Sequence, residues 1–125
     1  MPLVRIDLAE GTTAAYREAV ADTVYRALVD VAHAPVDDRF VVVSEHKREN
    51  QIMDPHYIVD RTPAALIIQI TLNTGRDTQT KKDLYRAIAD GLHDRVGVRT
   101  EDVFINLVEV PKENWSFGAG EAQYA

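Results

Sequence analysis

Residues 3–11, LVRIDLAEG, and residues 67–75, IIQITLNTG, decide the fold because they are two copies of one pattern. The first copy alternates apolar and polar residues, the second is apolar at most positions, and each run ends at a glycine, which is typical of a β-strand followed by a turn. The copies are 64 positions apart (75 minus 11), and the same offset relates residues 3–46 to residues 67–110 without an insertion. The chain is therefore a tandem repeat of two similar halves.

Each half contains a strand, a turn, an amphipathic helix and a second strand, in that order. Thr13 and Asp77 are the expected N-caps of the two helices, which are expected to end near Pro35 and at Gly97. The four expected strands are residues 3–8, 40–44, 66–72 and 103–110.

Two β-α-β units of this kind predict an α+β fold. Parallel strands joined by a helix cross over right-handedly, so two units side by side give a four-stranded sheet with both helices on one face. We expect one domain over residues 1–125, with halves at about 3–46 and 67–110. Between the halves, residues 46–65 are polar and contain two prolines, which predicts a loop with one short strand near residues 51–53.

Three of the expected strands are apolar at most positions and not only at alternate ones: FVVV, LIIQITL and VFINLV. A strand that is apolar on both sides is usually buried on both faces of its sheet. Two helices cover only one face, so we expect another copy of the chain to cover the other. The sequence therefore predicts a homo-oligomer.

The composition argues against several classes of function. The 125 residues include no cysteine, which excludes disulfides, thiolate nucleophiles and cysteine-bound zinc, and the four histidines show no ligand spacing. The net charge of -6, without a basic stripe, argues against nucleic-acid binding. No apolar run is long enough to cross a bilayer, and the first residues do not resemble a signal peptide. We expect no metal, no cofactor, no nucleic acid and no membrane partner, and a cytoplasmic location.

Proline directly follows the initiator methionine. Within a sheet, proline is confined to edges and strand starts because it lacks a backbone N–H, so Pro2 is expected to begin the first strand. A second interpretation is chemical, since methionine before a small residue is usually removed and Pro2 would then carry a free secondary amine. Such an amine serves as a base, as an acid or as a nucleophile toward carbonyls. Its position alone leaves both interpretations open.

Four features together resemble the tautomerase superfamily: the leading Met-Pro, the two halves without a gap, VDDRF at 36–40 and WSFG at 115–118. Within it, the sequence resembles the malonate semialdehyde decarboxylase-like group over essentially the whole chain. The resemblance implies an enzyme that acts on small oxo or enol carboxylic acids, as a keto-enol tautomerase or as a malonate semialdehyde decarboxylase or hydratase. It also implies a homotrimer.

The same resemblance implies roles for individual residues. Pro2 would be the amino-terminal catalytic proline, and Asp38 the aspartate that works beside it. Arg76 would be one of the arginines that hold the substrate carboxylate. Trp115 and Phe117 would form the apolar wall of the pocket.

The sequence departs from the decarboxylase pattern just before Arg76. That pattern has Arg-x-Arg, whereas this chain has Thr74, Gly75 and Arg76. One clamp on the carboxylate is therefore missing, which weakens the case for decarboxylation but not for proton transfer. Asn73 and Thr74 are expected to line the substrate pocket or simply to end the strand.

Structural roles remain open for several of these residues. Asp38 has a counterpart, Asp102, at the same turn of the other half, which favours a capping or turn role. Arg39 is expected to form a structural ion pair with Asp38, Arg76 could be a solvated surface residue, and the two tail aromatics could belong to the core or to an interface. The alternative function is a non-catalytic oligomeric binding protein of the same fold.

Overall fold

Both expected β-α-β units form in the computed structural model, which describes residues 2–125. The first unit is β1 (Leu3–Ala9), α1 (Ala14–Asp30) and β2 (Phe40–His46), and the second is β3 (Leu66–Asn73), α2 (Thr78–Val96) and β4 (Val103–Val110). Short 3-10 helices lie at Arg48–Asn50, Thr100–Asp102 and Lys112–Asn114. The predicted α+β repeat is confirmed.

The expected helix caps are present. Thr13 accepts a hydrogen bond from the backbone N–H of Tyr16 at 3.1 Å, and Asp77 accepts one from Thr80 at 2.8 Å. Gly97 ends α2 in the left-handed conformation, with φ of 74°, where a residue without a Cβ is favoured. These local signals therefore place both helix starts and one helix end.

The sheet has the strand order β2-β1-β3-β4. Within each unit the strands are parallel, whereas the two units meet through an antiparallel pairing of β1 with β3. In that register Leu3 lies opposite both Phe40 of β2 and Thr71 of β3. The start of β1 therefore lies beside the end of β3, and this arrangement positions the candidate site.

The core lies between the sheet and the two helices. Alternate residues of the central strands face the helices, so the period of two in the sequence becomes one buried face. The helices cross closely at Gly91, where an added Cβ would lie 2.8 Å from Cγ2 of Thr23. The largest fully buried side chains are Val4, Ile6, Val20, Val24, Leu28, Leu66, Ile68, Ile70, Leu72, Leu84, Ile88 and Leu92.

Two expectations about irregular segments were wrong. No strand forms near Gln51, because its backbone N–H donates to the carbonyl of Arg48 and closes a 3-10 helix instead of a strand ladder. Helix α1 ends at Asp30, several residues before Pro35. The N–H groups of Ala32 and Ala34 both bond to the carbonyl of Leu28, which turns the chain back before the proline is reached.

The face of the sheet opposite the helices carries both apolar and polar side chains. Phe40, Val42, Phe104 and Val108 remain between 37% and 49% exposed. Polar side chains on neighbouring strands separate these apolar ones. Among the polar side chains are Gln69 and Asn106, and the Gln69 side chain donates a hydrogen bond to that of Asn106 at 3.1 Å. None of the helices in residues 2–125 is both long and apolar enough to span a membrane.

Candidate active site

The candidate site lies at the sheet edge where β1 begins and β3 ends. Pro2 is buried and directly precedes Leu3, which pairs with Phe40 on one side and Thr71 on the other. Pro2 therefore lies between the turn that leads into β2 and the last residues of β3. This position follows from the antiparallel contact of the two halves.

Arg76 is held at this edge by backbone carbonyls. The preceding Gly75 has φ of 134°, and this turn leads the chain out of β3. The Arg76 Nε donates to the carbonyl of Ala32 at 2.9 Å, and its Nη1 donates to that of Asn73 at 3.1 Å. Within residues 2–125 no carboxylate forms an ion pair with this guanidinium, so its remaining donors can receive an anion.

Trp115 and Phe117 form an aromatic wall next to Asn73. The indole Nε1 of Trp115 donates to Oδ1 of Asn73 at 2.7 Å, which fixes the ring against the end of β3. Trp115 and Phe117 stack with ring centroids 5.7 Å apart. The structure therefore joins the predicted residues Asn73, Arg76, Trp115 and Phe117 through direct contacts.

The wall includes two residues that the sequence analysis missed. Phe40 lies 6.4 Å from the Phe117 ring, and Tyr124 meets Phe117 edge-on at 5.1 Å. Gln123 holds the tail in place, because its side chain accepts from the N–H of Phe117 and donates to the carbonyl of Gly118. In the sequence, these two residues are marked only by being aromatic and lying near expected site residues. Phe40 is otherwise simply the first residue of an expected strand.

The structure places Thr74 on the β4 side of the turn. Its backbone N–H and its hydroxyl both donate to the carbonyl of Val110, at 3.1 and 3.2 Å. These bonds extend the pairing of β3 with β4 by one residue. Thr74 therefore closes the strand end, and an arginine at this position would have different contacts.

Asp38 and Asp102 occupy the same place in the repeat but have different surroundings. Both are nearly inaccessible, at 4% and 2% exposed. Asp102 accepts from the N–H and the hydroxyl of Thr62, at 2.7 and 2.6 Å, and so ties the linker to the turn before β4. Burial raises the pKa of the Asp38 carboxyl, and the positive charge of the amino terminus acts in the opposite direction.

The expected ion pair between Arg39 and Asp38 was wrong. Arg39 points toward α1, where it pairs with Asp22 at 3.4 Å and lies over the Tyr25 ring at 4.7 Å. The reason is nonlocal, since α1 presents both a carboxylate and an aromatic face to the turn. In the part of the chain that the structure describes, no group of three or more His, Cys, Asp or Glu side chains could hold a metal ion.

Comparisons with known proteins identify the family of the chain. Two family models, both described as "Tautomerase enzyme", match residues 38–118 and residues 2–61. The chain is 39% identical over 124 residues to "Probable tautomerase YusQ" of Bacillus subtilis (strain 168), with 98% of each chain covered.

Two solved structures extend the comparison. A crystal structure of FG41 malonate semialdehyde decarboxylase inhibited by 3-bromopropiolate has a TM-score of 0.90 and 38% identity, and the match covers 98% of this chain and 93% of that one. A fused 4-OT solved as a symmetric trimer has a TM-score of 0.80 at 21% identity, covering 98% of this chain and 97% of the other, and shows the fold alone. The resemblance inferred from the residues is confirmed, and the chain belongs to the tautomerase superfamily.

Proposed function

We propose that this chain is an enzyme that uses the Pro2 amine, freed by removal of Met1, for acid–base chemistry on small oxo or enol carboxylic acids. The observation that carries the proposal is the meeting of three chemical groups at one sheet edge. Pro2 directly precedes β1 there, Asp38 precedes β2, and Arg76 follows β3 with donors available for an anion.

The surroundings of Pro2 suit proton transfer. A free α-amine has a reference pKa of about 7.7–8.0, and burial disfavours its charged form and lowers that value. Asp38 acts in the opposite direction when it is ionised. Burial and Asp38 therefore act on the pKa of the amine in opposite directions, and general acid–base catalysis is most effective when that pKa lies near the working pH.

The proposed reaction moves one proton within a bound carboxylic acid. Arg76 receives the substrate carboxylate, and the aromatic wall covers the carbon skeleton and excludes water. The neutral Pro2 amine takes the hydroxyl proton of the enol as the carbonyl forms, and the resulting ammonium returns a proton to the adjacent carbon. Asp38 orients the amine and stabilises its charged form.

Tautomerisation is favoured over decarboxylation by one residue. The second arginine of the decarboxylase pattern is replaced by Thr74, whose hydroxyl bonds to the carbonyl of Val110. The decarboxylase pattern has two arginines for the substrate carboxylate, and here only Arg76 is present among the residues of that motif. A malonate semialdehyde decarboxylase or hydratase activity is the second candidate, supported by the 38% identity to the FG41 enzyme.

Substitution of Arg76 tests the carboxylate contact. Arg76→Ala is expected to raise KM for phenylpyruvate about tenfold or more, because a hydrogen bond to a charged group contributes roughly 1.5–3 kcal/mol. The measurement is steady-state kinetics with a melting curve, since Arg76 also bonds to two backbone carbonyls. Arg86→Ala is the matched control, since Arg86 is exposed on α2 and pairs with Asp90 at 3.8 Å. An unchanged kcat/KM in a folded Arg76→Ala protein would refute the contact.

A homotrimer is proposed for the assembled protein. The sheet face opposite the helices leaves four large apolar side chains exposed, and a fused 4-OT of the same fold is a trimer. Sedimentation at micromolar concentration is expected to give three times the 14.0 kDa chain mass. Val108→Asp should shift that mass toward the monomer, whereas Arg86→Asp on the helix side should not. A wild-type monomer would contradict the proposal.

The state of the mature amino terminus distinguishes the enzyme from the alternative, a non-catalytic binding protein. If Met1 is retained, the Pro2 nitrogen is an amide and has no proton-transfer chemistry. The intact mass of the native protein decides this directly. A mass that includes methionine would favour the binding protein, and a mass without it would favour the enzyme.

A further inference from the structure

The repeat places a glutamate beside each of the two glycine turns that follow β1 and β3. Glu45 lies near the end of β2 and Glu109 near the end of β4, at the same offset of 64 (109 minus 45). Each glutamate interacts with the backbone of its turn and also pairs with a basic residue in the first turn of the next helix. The two halves therefore hold their strand-to-helix turns in the same way.

In the first half this arrangement lies far from the candidate active site. Glu45 accepts hydrogen bonds from the N–H and the hydroxyl of Thr12 at 2.8 and 2.6 Å, and it pairs with Arg17 at 3.2 Å. Its register partner is Leu8, toward the end of β1, whereas Pro2 directly precedes the start of that strand. Glu45 therefore fixes a turn that carries no candidate site residue.

In the second half the turn carries Arg76, which takes the place of Thr12 in the repeat (76 minus 12 is 64). Glu109 accepts a hydrogen bond from Nζ of Lys81 at 2.6 Å. That bond lowers the pKa of the Glu109 carboxyl, and the backbone N–H of Gly75 and the charge of Arg76 act in the same direction. The carboxylate is therefore ionised at neutral pH and lies beside the turn that bears the arginine.

Two consecutive residues of β4 hold this turn. Glu109 interacts with the backbone of Gly75, and the carbonyl of Val110 accepts from the N–H and the hydroxyl of Thr74. Arg76 uses its Nε and Nη1 on two backbone carbonyls, so the direction of its remaining donors depends on where the turn lies. A shift of the turn would misalign those donors with a bound carboxylate.

Lys81 keeps the charge of Glu109 from neutralising the arginine. The carboxylate is close enough to Arg76 for their charges to interact, but its Oε1 is engaged by Lys81. The positive charge of Arg76 therefore remains for an incoming anion.

We propose that Glu109 is a positioning residue for Arg76, because it fixes the turn before α2 so that the guanidinium aligns its donors with the substrate carboxylate. The proposal rests on the carboxylate contact of the proposed function. Glu109 does not touch the substrate, so it acts on binding and not on the proton-transfer step.

Calorimetric titration with phenylacetate tests the proposal, since this carboxylate has no keto group to react. Glu109→Ala is expected to weaken binding about fivefold, less than Arg76→Ala, because the arginine remains but its donors are less well aligned. Glu109→Gln should restore binding to within about twofold of wild type, because its amide oxygen still accepts from Lys81 and the turn. Glu45→Ala is the matched control, since it loses the corresponding contacts in the first half, and it should bind as wild type does.

A double variant separates positioning from general damage to the fold. Arg76→Ala with Glu109→Ala is expected to bind no more weakly than Arg76→Ala alone, because Glu109 acts only through the arginine. Melting curves should show that Glu109→Ala and Glu45→Ala both lose stability, while only Glu109→Ala loses affinity. A further loss of affinity in the double variant would overturn the positioning role.

The outcomes also separate this proposal from the proposed function. Wild-type affinity in folded Glu109→Ala, together with weak binding in Arg76→Ala, would overturn the positioning role and leave the proposed function intact. Tighter binding in both Glu109 variants would overturn it as well, since the charge of Glu109 would then matter more than its contacts. Normal phenylacetate binding without phenylpyruvate turnover would refute the proposed function and support the carboxylate contact. Absence of phenylacetate binding to wild type would overturn both.

Discussion

Protein that retains Met1 is expected to lose at least about a hundredfold in kcat/KM for phenylpyruvate, relative to protein with a free Pro2 amine. An amide nitrogen shares its lone pair with the carbonyl, so it neither takes up nor delivers a proton at neutral pH. The amine is the only group that the proposed reaction uses to move the proton. Its loss should therefore reduce turnover more than the loss of any binding contact.

The experiment compares two proteins that differ only at the amino terminus. Insertion of a lysine between Met1 and Pro2 gives a protein that keeps its methionine, since removal requires a small second residue. Intact mass identifies each form, and melting curves are expected to agree because Pro2 keeps its place at the start of β1. Equal rates in the two folded proteins would remove Pro2 from the mechanism.

Asp38→Asn is expected to lower kcat about tenfold or more, while Asp102→Asn leaves kcat nearly unchanged. Asparagine keeps the shape of the side chain but removes the charge that orients and stabilises the proline ammonium. Asp102 has a structural role, because it accepts two short hydrogen bonds from Thr62. Asp102→Asn should therefore lower the free energy of unfolding by about 1–3 kcal/mol.

Asp38→Asn should lower the free energy of unfolding less than Asp102→Asn does. Burial raises the pKa of the Asp38 carboxyl in the folded protein, so the fold disfavours its ionised form. Its contribution to stability is full below its unfolded pKa and is lost as pH rises through the folded value. At neutral pH the neutral asparagine should consequently cost little free energy of unfolding.

The decisive measurement is the pair of variants side by side, each with a rate and a melting curve. Asp38→Asn should lose turnover and keep its stability, whereas Asp102→Asn should lose stability and keep its turnover. If both lose stability equally and neither loses turnover, Asp38 is a turn residue. The mechanism would then rest on Pro2 and Arg76 alone.

Local signals in the sequence were sufficient for the four strands, the two helices and the α+β class of the fold. The alternation in LVRIDLAEG and the caps at Thr13 and Asp77 depend on residues near one another in the chain, and the gap-free repeat predicts the same elements for the second half. The buried faces of β1 and β3 follow from the same period of two. The candidate site residues were predicted from the resemblance of scattered motifs to the tautomerase superfamily. Only the folded chain shows which of these residues are in contact.

What the tertiary structure decided depends on contacts between distant residues. The antiparallel pairing of β1 with β3 places Pro2 beside the end of β3, and the tail reaches back so that Trp115 bonds to Asn73. Asp38 and Asp102 look alike in the sequence, and they differ because Thr62 of the linker reaches only Asp102. Sequence periodicity reports which face of an element is buried but not which distant side chain meets it, since that depends on how the two halves pack.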